Sequence, residues 1–354
     1  MDSLRECYNT SFSEDTMKAL FICKNRIDSY GISFGLLNSA SFVANTLNEK
    51  GIEAKVITVT DANGIDKAVT EYNPTHIFIE ALWVTAEKFK QLLSLPRHRN
   101  REWIVRIHSK VPFIANEGIA FSWLSDYRDL INCHYNFSVS CNSFEFNNSL
   151  SKVLNINSIY LPNIYNPKEH GLNCCFPKSG NTINIGCFGA IRPLKNTLNQ
   201  ALAAIVFADE MGFNLNFHIN SGREEQKGDQ VSKNLEALFE ASYSHRLIKQ
   251  GWMNHRDFIH LVRSLDLGMQ VSLSETFNIV AADFVTNNIP IVVSPEIDWM
   301  PCLYQADPSS VQSMVRKLKI AYYGKYIGLQ KLANWKLNNW NKKATNIWLD
   351  YLGL

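Results

Sequence analysis

The stretch SETFNIVAADFVTNNIPIVV, Ser274 to Val293, contains a short polar loop, an apolar helical pattern and the start of a strand. Glu275 precedes the apolar pattern, and Asp283 lies within it, eight residues later. Because eight residues make a little over two helical turns, the two carboxylates can face the same side and contact one ligand. An amphipathic core helix with a solvated Asp283 has the same pattern, so neighbouring features must distinguish the two interpretations.

On both sides of this stretch, apolar β-branched runs alternate with helical patterns, which predicts repeated βα units. The predicted strands are 18–24, 53–59, 75–81, 103–108, 134–140 and 157–163 in the first half, then 182–188, 214–220, 246–251, 266–272 and 289–294. Between the halves, the segment 164–181 has two prolines, two glycines and no clear period, so it is predicted to be a linker. Two parallel sheets of this kind can face each other across a ligand cleft at the carboxyl ends of their strands.

Composition indicates a globular chain of about two domains, with 354 residues, 46% apolar side chains and a net charge of only +2. We expect domains at 1–165 and 166–335, followed by a helix at 336–354 that braces the first domain. The eight cysteines lack zinc-type spacing, which favours free thiols in a reducing compartment. The chain shows no apolar signal core and no run of the ~20 apolar residues that a membrane span needs. We therefore expect a cytoplasmic protein without a membrane span.

A second group of polar residues follows the predicted strand 182–188, in the segment GCFGAIRPLKN, Gly186 to Asn196. The small residues Gly189 and Ala190 would let the backbone approach a ligand, and Arg192 and Lys195 could neutralise a diphosphate. Cations near a helix start are also common on ordinary surfaces. A third feature is Pro162-Asn163, where the chain leaves the first unit.

Taken in this order, the features resemble those of the two-domain nucleotide-sugar glycosyltransferases of the GT-B fold, most nearly retaining glycosyltransferase family 4. The resemblance covers about residues 17 to 345 and rests on Pro162-Asn163, Arg192 with Lys195, Glu275 with Asp283, and Asn288 to Ile291. It implies an α/β protein with two Rossmann-like parallel-sheet domains facing across a cleft. The sequence departs from the family pattern in three ways: the second acid is an aspartate, Asn278 stands where a glycine is usual, and Arg192 lies closer to Lys195.

The resemblance also implies a role for each matched residue in sugar transfer from a nucleotide diphosphate sugar, with a UDP-sugar favoured. Arg192 and Lys195 would hold the diphosphate, Glu275 and His108 would lie at the transferred sugar, and Asp283 would bind the ribose. The remaining donor contacts would come from Gly31, Gly189, Thr276, Phe277, Asn278 and Ile279. Paired cations replace a metal in this scheme, so we expect no metal and no cofactor beyond the donor itself.

The acceptor side is less defined, with Glu80 and Glu117 as cleft candidates and a basic cluster at Arg97, Arg99 and Arg101. The tail combines eight lysines and arginines with three tryptophans, a composition that can track phosphates and stack bases. A likeness to tailed-phage glycosyltransferases makes hydroxymethylcytosine in DNA a candidate acceptor, which would require base flipping. The alternatives are a cell-surface glycan or small-molecule acceptor, a nucleotide-sugar epimerase, and a non-catalytic nucleotide-sugar or nucleic-acid binding protein.

Overall fold

The computed structural model of the chain describes residues 17–25, 34–133, 136–167 and 180–354. They form two sheets in which every described strand pair is parallel. The strands of the first sheet are β1 Lys18–Lys24, β2 Glu53–Val59, β3 His76–Glu80, β4 Glu102–Ile107, β5 Phe137–Cys141 and β6 Ile159–Tyr160. Those of the second are β7 Thr182–Cys187, β8 Asn214–Asn220, β9 His245–Gln250, β10 Leu267–Gln270 and β11 Ile291–Val293.

Helices connect these strands and cover both sheets. In the first half they are α1 Phe34–Glu49, α2 Gly64–Tyr72, α3 Ala86–Ser94, α4 Val111–Ile114, α5 Ala120–Asn132 and α6 Phe144–Val153. In the second half they are α7 Thr197–Met211, α8 Gly228–Glu240, α9 His255–Arg263, α10 Ile279–Thr286, α11 Val311–Gly324 and α12 Gln330–Tyr351. Because helices cover both faces of the sheets, β1 and β11 are almost entirely buried. Strands in this position need continuous apolar runs.

The strand orders alone indicate where a ligand would bind. The first sheet has the order β2-β1-β3-β4-β5-β6 and the second the order β11-β10-β7-β8-β9. The order therefore reverses between β1 and β3 in the first sheet and between β7 and β10 in the second. In open parallel sheets, ligands bind beyond the carboxyl ends of the strands at such reversals.

The predicted fold class is confirmed, and each predicted strand overlaps an observed one. The largest difference is at 157–163, where only Ile159–Tyr160 pairs with β5, because the chain then turns into the domain junction. The predicted linker is irregular at its described ends, 164–167 and 180–181. None of the helices in the described part of the chain has both the length and the apolar content of a membrane span.

Helix α12 begins at Gln330, earlier than the expected 336, and carries the chain back to the first sheet. The fully buried Trp348 packs against Phe21 of β1 and Phe78 of β3, with ring centroids 5.9 and 5.2 Å away. Its Nε1 donates to the carbonyl oxygen of Pro162 at 2.8 Å. The last helix thus completes a core cluster of the first sheet and is bound to the domain junction.

Candidate functional site

A cavity of about 710 Å³ lies where the carboxyl ends of the two sheets meet. Its second-domain wall comes from the loops after β7, β8 and β10 and from α10, and its first-domain wall from α1 and the loops after β3 and β4. This is the position that the two reversals of strand order indicate. The volume falls in the range of roughly 300–1,000 Å³ that is usual for small-molecule sites.

Lys195 and Glu275 form an ion pair in the second-domain wall, at the reversal between β7 and β10. Lys195 Nζ donates to Glu275 Oε1, and the two side chains are 15% and 10% exposed. Gly189, in the left-handed region with φ 123°, lies beside this pair, and a Cβ there would come within 3.4 Å of Lys195 Cε. The glycine therefore leaves the space in which the lysine side chain lies.

The charge of Glu275 is stabilised by its surroundings. Burial disfavours the ionised form, but the ammonium of Lys195 and the guanidinium of Arg192 outweigh that effect and hold the pKa of Glu275 below its ordinary value. Glu275 is therefore an ionised hydrogen-bond acceptor facing the cavity, which suits a sugar hydroxyl.

Arg192 lies near this pair and is oriented from two sides. Its Nη1 donates to Glu225 Oε2 at 2.9 Å, and its guanidinium lies 4.7 Å from the ring centroid of Phe113 in the first domain. Glu225 Oε1 also accepts from Arg223 Nε at 2.8 Å, so one carboxylate bridges two arginines that line the cavity. The arginine pairs outweigh burial and hold the pKa of Glu225 below its ordinary value.

Sequence reasoning missed Arg223, Glu225 and Trp252. The guanidinium of Arg223 lies 5.3 Å from the ring centroid of Trp252, which follows β9 and is 37% exposed at the edge of the cavity. The segment SGREEQKG, 221–228, reads as an ordinary charged loop. The available signal was its position directly after β8, at the same edge of the sheet as the loop after β7.

The loop before α10 has a conformation that suits Asn278, where the resembled pattern has a glycine. Asn278 has φ 60°, a left-handed conformation that glycine and asparagine adopt most readily. Its Oδ1 accepts from the backbone N–H of Ala281 at 2.8 Å and caps the helix, while its Nδ2 donates to Gln270 at 2.8 Å. The N-terminal end of α10 therefore points at the cavity with its positive dipole end.

Three of the four predicted contacts in this loop line the cavity, namely Thr276, Asn278 and Ile279. Phe277 does not: its buried ring packs 5.5 Å from Trp299, and its carbonyl oxygen accepts from Trp299 Nε1 at 2.7 Å. The ring of Phe277 therefore belongs to the core of the second domain. The side chain of Phe277 is therefore not available to the donor, and the contact predicted for this segment was to its backbone, which stays a prediction.

Asp283 lies on the same side as Glu275, and both line the cavity. Its buried Oδ1 accepts from Tyr165 Oη at 2.7 Å and lies 2.7 Å from His255 Nε2. Burial raises the pKa of Asp283, against the opposing effects of His255 and Tyr165. The solvated surface position considered from the sequence is therefore wrong, because the helix turns this carboxylate inward.

In the first-domain wall, His108 follows β4 and is held by the protein at both ring nitrogens. Nε2 contacts Glu80 Oε2, and Nδ1 lies 3.3 Å from Asn142 Nδ2. Burial lowers the pKa of His108, although the nearby charge of Glu80 opposes this. Asn142 also donates to Thr276 Oγ1 at 3.2 Å, which connects the two walls.

Glu80 lies behind His108 and does not line the cavity, which corrects its assignment to the acceptor. It is fully buried and paired with Arg106 at 3.2 Å, and Arg106 in turn donates to Pro162 and Asn163 at the domain junction. Burial opposes the ionisation of Glu80, but Arg106 and His108 outweigh it and lower the pKa of Glu80. Its side chain orients His108 and cannot reach an acceptor.

The basic cluster lies at the other edge of the first sheet. Arg97 pairs with Asp66 at 2.6 Å, and Arg101 donates to Asn73 at 2.8 Å. Arg97, Arg99 and Arg101 precede β4, whereas His108 follows it, and six extended residues span about 20 Å. The structure therefore does not bring these arginines to the cavity, whereas Glu117 lines it. Gly31 lies outside the described residues.

Within the described ranges, no group of three or more His, Cys, Asp or Glu side chains is arranged to hold a metal ion. The charged side chains that the second domain contributes to the cavity include Arg192, Lys195, Arg223, Glu225, Glu275 and Asp283. This arrangement can bind a molecule with an anionic centre and hydroxyl groups on either side of it.

No family model matches the sequence, and a comparison with curated proteins finds no match. Solved structures with the GT-B fold are similar over nearly the whole chain. Sucrose-phosphate synthase from Thermosynechococcus elongatus is 12% identical with a TM-score of 0.66, covering 95% of this chain and 98% of that one. The structure of trehalose-6-phosphate from E. coli bound with UDP-2-fluoro glucose is 12% identical with a TM-score of 0.62, covering 92% and 97%. A glycosyltransferase from Rickettsia africae ESF-5 is 12% identical with a TM-score of 0.58, covering 95% and 99%. The chain therefore has the GT-B fold.

Proposed function

We propose that the chain is a glycosyltransferase that moves a sugar from a nucleotide diphosphate sugar to an acceptor hydroxyl, with retention at the anomeric carbon. The observation that carries the proposal is the Lys195–Glu275 ion pair, with Arg192 beside it, at the strand-order reversal of the second sheet. A cation and a carboxylate side by side suit the junction between a diphosphate and a sugar.

The chemistry follows from where charge develops. When the bond between the sugar and the diphosphate breaks, its electron pair stays on the phosphate oxygen, and Lys195 and Arg192 stabilise that charge. Preorganised groups of this kind contribute roughly 3–4 kcal/mol each in other enzymes. The N-terminal end of α10 adds to the same field. Glu275, kept ionised by Lys195, accepts hydrogen bonds from the sugar hydroxyls.

The nucleoside lies on the other side of the diphosphate in this proposal. Trp252 offers a ring for base stacking beside Arg223, and Asp283 lies deeper in the wall for the ribose hydroxyls. UDP is favoured as the nucleotide, and the similar E. coli structure carries UDP-2-fluoro glucose. His108 faces the transferred sugar from the first domain, with its ring orientation set by Glu80 and Asn142.

The acceptor would enter along the first-domain wall, past Phe113 and Glu117. Hydroxymethylcytosine in DNA stays a prediction without support from the geometry, because Arg97, Arg99 and Arg101 lie at the opposite sheet edge. A glycan or small-molecule acceptor fits the same cavity, and so does an epimerase reaction without an acceptor.

A donor panel tests the proposal in two steps. UDP-, GDP- and ADP-sugars are first compared by thermal shift, with the expectation that a UDP-sugar raises the melting temperature most. The preferred donor is then incubated with an acceptor panel that includes hydroxymethylcytosine DNA, and products are identified by NMR. A sugar epimer of the donor would support the epimerase, and transfer to an acceptor would support the glycosyltransferase. No stabilisation by any nucleotide sugar would overturn the proposal.

A further inference from the structure

The far end of the second domain carries an exposed apolar surface that the proposed reaction does not use. Five large apolar side chains are exposed there within thirteen residues: Tyr323, Tyr326, Ile327, Leu332 and Trp335, here called the 323–335 patch. They are five of the fourteen exposed large apolar side chains among the described residues. Ile327 is the most exposed of the five, at 77%. Such a concentration marks an interaction surface.

The same part of the chain is strongly basic. Residues 316–343 contain eight lysines and arginines and no aspartate or glutamate, in a chain whose net charge is only +2. Lys325 lies 4.7 Å from the ring centroid of Tyr322 and 5.2 Å from that of Tyr326, and Lys336 lies 5.9 Å from that of Trp335. Cations and aromatic rings therefore form one surface, and its partner has to be anionic.

The patch points away from the cavity. Helix α11 follows β11 and runs back along the sheet, so its last residues lie at the amino edge of the strands, opposite the cavity. The contacts agree with this: Tyr323 Oη lies 3.5 Å from Met211 Sδ, and the ring of Tyr322 lies 5.5 Å from that of Phe213, both at the turn before β8. A partner bound here leaves the cavity open.

Helix α12 extends the surface. Leu332, Trp335, Lys342 and Lys343 are exposed, at spacings that place them along one side of the helix. The buried residues Leu337, Ala344 and Trp348 occupy the other side. The exposed side of α12 therefore continues the basic, aromatic character of the 323–335 patch.

We propose that the 323–335 patch docks the protein on a bilayer surface that contains anionic phospholipids. Tyrosine and tryptophan rings prefer the headgroup level, lysines contact the lipid phosphates, and aliphatic side chains enter the acyl boundary. A single-stranded nucleic acid would use the lysines and rings, but it offers nothing for the exposed Ile327 and Leu332. A second copy docking through the same patch would bring two basic segments together. The inference goes beyond the proposed function and does not depend on it.

Vesicle flotation of the full chain tests the proposal. The protein is mixed with vesicles of phosphatidylcholine alone, or of phosphatidylcholine with phosphatidylglycerol, at low and high salt. We expect flotation only with the anionic vesicles and weaker flotation at high salt. A flotation assay needs no donor or acceptor, so its failure leaves the proposed function untouched.

Two variants separate the apolar and the charged contributions. Tyr326→Ser with Ile327→Ser, and Lys331→Glu with Lys336→Glu, should each lower vesicle affinity by at least about tenfold. The matched controls lie on the first domain: Phe144→Ser with Val153→Ser, both exposed apolar side chains, and Lys50→Glu with Lys152→Glu, both exposed lysines. The controls should bind vesicles like the wild type, and circular dichroism should show all four variants folded.

Three outcomes would overturn the proposal. The first is the absence of flotation with anionic vesicles. The second is flotation that the patch variants leave unchanged. The third is evidence that the patch serves another partner while the protein does not float. Such evidence would be salt-sensitive DNA binding, or a dimer in light scattering, that the patch variants abolish.

Discussion

The two walls of the cleft each hold a buried carboxylate, and the pKa values of the two are shifted in opposite directions. Glu80 in the first domain has the permanent cation Arg106 as a partner, and its pKa is lowered despite burial. Asp283 in the second domain has His255 and Tyr165, and burial raises its pKa. The carboxylate of Glu80 is already paired within the protein, and its charge has a structural role in orienting His108. The second is the carboxylate that the proposed function assigns to the ribose hydroxyls.

The largest effect should follow the loss of the permanent cation. Arg106→Met leaves an ionised carboxylate buried without its partner, which costs about 3–5 kcal/mol of unfolding free energy. Equilibrium urea unfolding measures this loss. The double variant Arg106→Met with Glu80→Gln should regain part of it because the unpaired charge is gone. A wild-type unfolding curve for the single variant would contradict the assigned ion pair.

The second effect compares two lysines of nearly equal exposure on opposite walls, Lys195 at 15% and Lys110 at 16%. Lys195→Ala should lower kcat about 100-fold or more, because it removes a cation from the developing phosphate charge. Lys110→Ala removes a 3.0 Å pair with Glu296 across the cleft and should cost less than about tenfold in kcat. Steady-state sugar transfer by both variants measures the difference. Equal losses of kcat in the two variants would contradict the assignment of Lys195 to the developing phosphate charge.

The third effect separates the two acids of the opening stretch. Asp283→Asn should weaken UDP-sugar affinity about tenfold with a smaller change in kcat, since ribose hydroxyls are bound alike before and during the reaction. Glu275→Gln should instead abolish most transfer. Calorimetric titration of the donor, beside kcat, distinguishes these patterns. Unchanged donor affinity in Asp283→Asn would remove its ribose role.

The smallest effect is a difference in pH dependence between the two carboxylates. Glu80 has a folded-state pKa below its ordinary 4.5, so its contribution to stability is present above that value and is lost as pH falls through the folded pKa. Asp283 has a folded-state pKa above 3.8, so the folded state loses stability as pH rises through it. Relative to wild type, Glu80→Gln should therefore be least harmful in acid, and Asp283→Asn most favourable at neutral pH. Melting temperatures of the wild type and of both variants, taken from acid to neutral pH, measure these effects. Parallel pH profiles for the two variants would contradict the opposite pKa shifts.

The sequence was sufficient for the sheets because parallel strands need continuous apolar runs. It was also sufficient to place Arg192, Lys195, Glu275 and Asp283 at the cavity, because these lie in loops and a helix directly after such runs; their roles stay predictions. It was insufficient for contacts between distant segments. Tyr165 and Asp283 are 118 residues apart, and Asn142 and Thr276 are 134 apart, so no local pattern pairs them.

Other differences between the predicted and the observed site have a signal in the sequence. The cluster Arg97, Arg99 and Arg101 precedes a predicted strand, and residues before a parallel strand lie at the edge away from the ligand site. Glu80 ends β3 beside Arg106 in β4, with which it is in register. A carboxylate beside an arginine inside a sheet is a structural pair, and reading the two strands together indicates this.

The anchoring of Trp348 has a consequence for synthesis on the ribosome. This tryptophan packs on β1 and β3, yet it is 186 residues from Pro162, to whose carbonyl oxygen it donates. The first domain leaves the ribosome long before that ring exists, and domains generally fold as they emerge. Until then Phe21 and Phe78 lack the aromatic partner that covers them. In the nascent first domain this aromatic surface therefore stays uncovered on the Trp348 side until α12 is made.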